Sequence, residues 1–366
     1  IAYKTFLIVD STQKFQILIV AIVVILVIIK RGESDSVNDA YYNNTLIEAG
    51  EDHLTNIRQL TFSGENAEAY FSADGESLIF QGHDGDTLCD QIYIMDIKSR
   101  ETRLVSTGNG VTTCSYFQYP NCEKIIYAST HLGNKKCPEK PDYSRGYVWK
   151  LYPDYDIFRS NIDGTNLEQL TTDSNYDAEA TVAFDGSKII YTSMASGDLD
   201  IWTMNVNGTE KKQLTTRLGY DGGAFFNAQS NKIVWRVYHP ITPKEIADYK
   251  SLLASNSIRP MALQIWTMNS DGSNKKQITN NGSANFGPYF FPSGNRIIFS
   301  SNLHDPKGRD FDLYAINDDG TNLERITYFE GFDGFPMFSP NGKYLVFASN
   351  RNQKKRGDTN LFICEW

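Results

Sequence analysis

The 366-residue sequence is poor in cysteine: it has five (Cys89, Cys114, Cys122, Cys137, Cys364), no two of them spaced as C-x-x-C. That excludes a zinc ribbon and a thioredoxin-type redox motif. It has no surplus of positive charge either. Thirty-five Lys and Arg against forty-four Asp and Glu leave a net charge of -9, so a phosphate backbone would be repelled and nucleic acid is excluded as a partner. There is no Gly-x-Ser-x-Gly elbow, which argues against a serine hydrolase. Charged residues stop at 22%, too few for long solvated helices, whereas aromatics reach 13% with 21 Tyr and 21 Phe. That balance suits β-structure.

What is present is a repeat. A polar turn followed by a Leu-Thr or Ile-Thr pair recurs at Leu60-Thr61, Leu170-Thr171, Leu214-Thr215, Ile278-Thr279 and Ile326-Thr327, with Leu104-Val105 as a degenerate member. Repeats of this length are supersecondary units that bury their apolar faces on one another. Each unit holds four short strands. Asp74-Gly75, Asp185-Gly186, Ser293-Gly294 and Asn341-Gly342 mark one set of hairpins, and Asp163-Gly164, Asn207-Gly208, Asp271-Gly272 and Asp319-Gly320 the other. Asp-Gly and Asn-Gly tolerate the positive φ of tight turns, so these carboxylates read as turn residues and not calcium ligands. The last unit ends at Trp366 one strand short, while Ile57–Thr61 has the pattern of a fourth strand with no blade before it. Pairing the two would close a ring and remove the exposed sheet edges. The expected fold is all-β, a six-bladed β-propeller over residues 57–366.

The motif order Phe-Ser-x-Asp-Gly, Ile-x-Phe, Ile-Trp-Thr-Met-Asn, Asp-Gly-x-Asn and Leu-Thr resembles the TolB-like, WD40-like propeller repeat. The resemblance implies the propeller and a peptide segment gripped in its central channel. TolB itself carries a separate α/β domain before its propeller, which the 31–56 segment here is too short to supply. A related propeller, resembling oligogalacturonate lyase, implies the alternative of a metal-dependent lyase or hydrolase.

Two units carry insertions of about twenty residues by subtraction of the repeat spacing. Both fall on the rim, here called the top, that holds the loops entering the first strands and those joining second to third strands. The first, from His131 to Tyr152, is rich in Pro, Lys and aromatics and reads as an ordered loop. The second opens with Thr242-Pro243-Lys244-Glu245, a capping box with Pro at the first helical position, and predicts a short rim helix. Four histidines, His83, His131, His239 and His304, end second strands, and Asp177, Glu179, Asp221 and Asp333 lie where first strands begin. The carboxylates, with Trp149 of the first insertion, are the candidate ligand-binding residues. The histidines are the candidate metal ligands, a transition metal being the one cofactor they would admit; otherwise none is expected. The opposing reading is that aspartates at loop–strand junctions cap backbone N–H groups and that strand-end histidines are merely packed. A Cys114–Cys137 disulfide would pin the first insertion, with Cys89 as the alternative partner, and would place the propeller in an oxidising compartment, periplasm or cell exterior.

Ahead of the repeats, Ile17 to Ile29 is an unbroken apolar run flanked by Lys14, Lys30 and Arg31. It predicts a single membrane-anchoring helix within residues 1–30, although a span asks for roughly 20 apolar residues. Residues 31–56 read as a polar linker. Together these features describe a non-catalytic, membrane-tethered module whose top face engages a protein or peptide. The alternatives are the metal-dependent enzyme above and a structural subunit of a larger membrane assembly or filament, joined through helix packing.

Overall fold

Second strands such as Ile125-Ile126-Tyr127, Ile189-Ile190-Tyr191, Ile297-Ile298-Phe299 and Leu345-Val346-Phe347 are apolar without alternation and almost wholly buried. A strand reads this way when both of its faces are covered. Here the covers are the blades on either side. The computed structural model describes residues 44–83, 89–139, 141–144 and 146–366. It contains six four-stranded antiparallel sheets, and in one of them Thr55–Gln59 pairs with Asn360–Glu365 as the fourth strand of blade 6. The six-bladed propeller with its closing strand is therefore as expected. Residues from Thr45 onward belong to the same compact unit. Within the stretch read as linker, Glu51 is buried and bonded to Arg351 of blade 6.

The expected membrane-spanning helix is corrected. Among the described residues no helix is long and apolar enough to cross a membrane, the α-helix there being the 11-residue Pro243–Leu253. The Ile17–Ile29 run itself lies outside the described residues.

The Leu-Thr repeat has a physical cause. In each blade a hydroxyl of the outer strand accepts from the second backbone N–H of the third strand at 2.8–3.0 Å. The same hydroxyl is bonded at 2.8–3.2 Å to the polar side chain that opens that strand. The pairs are Ser106 with Gln91, Thr171 with Asp156, Thr215 with Asp200, Thr279 with Gln264, Thr327 with Asp312 and Thr61 with Asn360. In blade 1 the repeat pair is therefore Val105-Ser106, one residue beyond Leu104-Val105. Neighbouring blades are joined by a second recurring bond. The inner strand donates an N–H to the carbonyl just before the third strand of the preceding blade: Thr112 to Asp90, Asp177 to Tyr155, Asp221 to Leu199, Asn285 to Leu263, Asp333 to Phe311 and, closing the ring, Asn66 to Thr359.

Replacing Thr215 by Val leaves the Ile201 N–H and a buried Asp200 oxygen without partners. Thr215→Val is expected to lower stability by about 1–3 kcal/mol, and Thr215→Ser to keep most of it. Denaturant midpoints check this, and equal midpoints for wild type and Thr215→Val would contradict it.

Candidate functional site

Every inner strand carries a β-bulge near its middle. The bulged residue in each has a φ between 50° and 59°: Glu68, Cys114, Glu179, Gly223, Gly287 and Phe335. A bulge re-aims its side chain, and these six equivalent positions ring the central channel. Left-handed backbone costs a non-glycine residue on the order of 1–2 kcal/mol, so blades 4 and 5 hold the bulge with glycine while the other four carry a side chain.

Glu179 anchors the most heavily bonded group in the channel. It is almost fully buried and accepts from Thr192 Oγ1 at 2.7 Å, from the Gly223 N–H at 2.9 Å, from Tyr220 Oη at 3.0 Å and from the Arg236 guanidinium. Arg236 also donates to Tyr220 Oη at 2.8 Å. Its guanidinium lies against the inner strand where Gly222-Gly223 has no side chains; a Cβ at Gly223 would come within 2.9 Å of Arg236 Cζ. Burial disfavours the Arg236 charge, but Glu179 and Tyr220 more than offset that and hold its pKa above the usual value.

Trp149 stacks over this group, its ring 4.9 Å from Arg236 Cζ. The two insertions, from blades 2 and 4, pair with each other as a two-stranded antiparallel ribbon, Trp149 opposite Ile258 and Lys150 opposite Ser257. Lys150 Nζ donates to the Ser255 carbonyl at 2.6 Å. The predicted rim helix is present with its Thr242–Glu245 capping box, and Tyr249 Oη donates from it to Asp198 of blade 3 at 2.5 Å. Leu151, Tyr249, Ile258 and Leu263 pack with Tyr220 and Phe286 in one apolar cluster. The insertions thus form a roof spanning blades 2 to 4. Nothing in either insertion alone signals this pairing; the sequence sign that was missed is Arg236 inside an apolar second strand, which requires a buried carboxylate partner.

Most of the other candidate residues are occupied within the protein. Asp177 is buried with Oδ1 lacking a hydrogen-bond partner among the described residues, and desolvation pushes its carboxyl up to about 6. Asp221 accepts from Trp235 Nε1 at 2.7 Å and meets His239 Nε2 at 3.0 Å. Asp333 accepts from Arg351 at 2.6 Å, and the same guanidinium is bonded to Glu51 at 3.0 and 3.1 Å. The histidines are held blade by blade: His83 Nδ1 lies 2.6 Å from Asp90, and His131 is buried with Nδ1 2.9 Å from Ser129 Oγ. Burial and, after it, Lys135 lower the His131 pKa. His304 Nε2 is 3.2 Å from Asp310 and 3.3 Å from Asp312, and these three residues form a cluster that could hold a metal ion.

The disulfide joins Cys89 to Cys137, with 5.6 Å between Cα atoms, and Cys114 is free. This corrects the Cys114–Cys137 pairing. Cys114 sits at the bulge with its thiol 3.2 Å from Thr113 Oγ1, and desolvation raises its pKa. On the opposite rim, Phe226, Tyr289, Phe291 and Phe338 line a small, open apolar hollow.

Comparison with known proteins places these features on a shared scaffold. No family model matches the chain, and no curated protein matches it in sequence. Solved structures do. A protein assigned as TolB from Agrobacterium tumefaciens superposes with a TM-score of 0.56 at 16% identity, covering 83% of this chain and 91% of that one. An oligogalacturonate lyase in complex with manganese gives 0.53 at 14% over 84% and 79%. A chain of a nidogen/laminin complex gives 0.51 at 11% over 73% and 81%. The chain thus has the TolB-like propeller fold that its repeat resembles.

Two outcomes test the buried ion pairs. Arg351→Met strands the Glu51 and Asp333 carboxylates and is expected to cost about 3–5 kcal/mol in chemical denaturation; a change under about 1 kcal/mol would contradict the network. Glu68 is pushed up to about 7, chiefly by desolvation. Its folded pKa lies above its unfolded one, so the stability it contributes is full below pH 4.5 and is lost as pH rises through about 7. Glu68→Gln is therefore expected to flatten the fall in melting temperature between about pH 5 and 8. An unchanged slope would contradict that environment.

Proposed function

We propose that the chain is a non-catalytic binding module whose top face engages a protein or peptide partner. The observation that carries this reading is the placement of exposed apolar side chains. Leu132, Tyr143 and Tyr147 on the first insertion and Ile241 and Met261 on the second are all about half exposed or more. Phe62 and Tyr328, in loops entering first strands, add to the same rim. Scattered exposed apolar residues carry no meaning, but a concentration on one protruding surface marks an interaction face. The roof covers the blades 2–4 side of the channel, so recognition is assigned to its outer surface. The Cys89–Cys137 disulfide ties the first insertion to blade 1 and suits an oxidising compartment outside the cytoplasm.

A second reading, a metal-dependent lyase or hydrolase, has one observation in its favour: His304, Asp310 and Asp312 on the rim of blade 5. An imidazole nitrogen and two carboxylate oxygens have the right chemistry for manganese or zinc. The fit is incomplete. Asp312 Oδ2 already accepts from Arg325 Nε at 2.8 Å and from its Nη2, and Thr327 bonds Oδ1. A cation there would have to displace Arg325. Desolvation pushes the Asp312 carboxyl up to about 7 even beside that guanidinium, which fits a structural carboxyl better than a ligand.

One experiment separates the two readings. A photo-crosslinking residue at position 147 is expected to capture one protein species in the native extract that position 323, on the opposite rim, does not; equal capture at both would overturn the binding reading. Elemental analysis of the same preparation is expected to find no stoichiometric transition metal. Finding one that is lost in His304→Ala would favour the enzyme.

A further inference from the structure

Glu68 combines two costs with no return inside the protein. Its backbone is left-handed, φ 53°, at a position where blades 4 and 5 use glycine. Its side chain is only partly buried, yet desolvation is the largest influence on its carboxyl, and the cation nearby, Arg236, is bonded to Glu179 and Tyr220. Glu179 bears the same backbone cost, but it has four bonding partners to show for it. For Glu68 the Cys114 thiol is a minor influence that favours the charged form. The remaining charges that act on it, Glu179 and Asp90, are repulsive. Strained backbone persists where the surroundings over-determine it and gathers at binding sites.

The geometry also provides access. The roof lies over blades 2 to 4, whereas Glu68, on the inner strand of blade 1, is only partly buried. An aromatic residue and a carboxylate occupy equivalent ring positions on neighbouring blades. Phe335 belongs to a group of rings with Phe286 and Phe332. A carboxylate and an aromatic ring at equivalent positions around one channel can hold an organic cation between them, through ion pairing at one side and a ring face or edge at the other.

We propose that Glu68 anchors a ligand bearing an ammonium or guanidinium group, taken into the channel from the blade 6 to blade 2 side. The cation would supply a counter-charge of its own, Arg236 being engaged by Glu179 and Tyr220, and Phe335 would contact its apolar stem. The roof's outer surface plays no part, so this site and the partner-binding face stand or fall separately.

The test titrates the full chain with ethylguanidinium, with butylammonium and with ethylurea, the uncharged analogue of the first. Calorimetry gives affinity and the carbon resonance of the Glu68 carboxyl gives its titration midpoint. At least one cation is expected to bind at least about tenfold more tightly than ethylurea, and binding is expected to move the Glu68 midpoint downward. Glu68→Gln is expected to weaken that cation about tenfold or more, while Cys114→Ser leaves it within about twofold. If Glu68→Gln does not fold, the wild-type carboxyl titration decides by itself. The proposal is overturned if neither cation binds wild type at about 10 mM, if Glu68→Gln binds equally well, or if the Glu68 midpoint does not move. The two cations distinguish a lysine-like from an arginine-like ligand.

Discussion

The hydroxyl clasp of each blade is the interaction on which the rest of this propeller depends. The outer strands of blades 1 to 5, two or three residues long, have too few ladder bonds to hold themselves, and that of blade 6 is five residues long. The clasp adds to each one a backbone acceptor and a side-chain bond, repeated from Ser106 to Thr61. It also fixes the start of the third strand, the place from which each blade receives the next through an inner-strand N–H. The two devices are coupled: loosening a clasp frees the residue beside the carbonyl that the next blade needs. In blade 6 the clasp is made by Thr61, nearly three hundred residues from Asn360, so the ring is closed by the same chemistry that builds each member.

Upon that regular frame the channel is irregular by substitution alone. Six bulges of one geometry carry Glu, Cys, Glu, Gly, Gly and Phe. Gly223, with Gly222 beside it, clears space where the Arg236 guanidinium meets Glu179, and the Tyr220 hydroxyl and Trp149 ring finish its surroundings. One side of the channel is therefore filled and bonded, and the other keeps an acid and an aromatic ring partly open. The roof follows from the same asymmetry, since its Trp149 rests on the cation that the glycines admit.

Blade number, hairpin positions, the closing strand and the rim helix were legible because each rests on local chemistry: turn dipeptides, a capping box and strand-length apolar runs. The repeat was also misaligned by one residue in blade 1, because Ser106 replaces Thr and the conserved quantity is a hydroxyl and not a residue name. The candidate carboxylates were placed correctly along the chain, yet their partners come from elsewhere: Arg351 for Asp333, Trp235 for Asp221 and Arg236 for Glu179. Cys114 was paired wrongly because its place near the start of an inner strand suggested the top rim, whereas the alternative partner Cys89 is the one bonded to Cys137. No periodicity announces a bulge at a non-glycine residue.

The central claim is that the insertions of blades 2 and 4 form one fixed roof, which moves recognition to its outer surface. Amide hydrogen exchange on the full chain tests this most directly at Leu151, whose N–H is bonded to the Asn256 carbonyl at 2.8 Å, and across the Trp149–Ile258 pairing. The account predicts protection at these amides approaching that of the inner strands. Exchange at the rate of exposed loops would mean that the roof opens freely, and the channel mouth, not the roof, would then be the recognition surface.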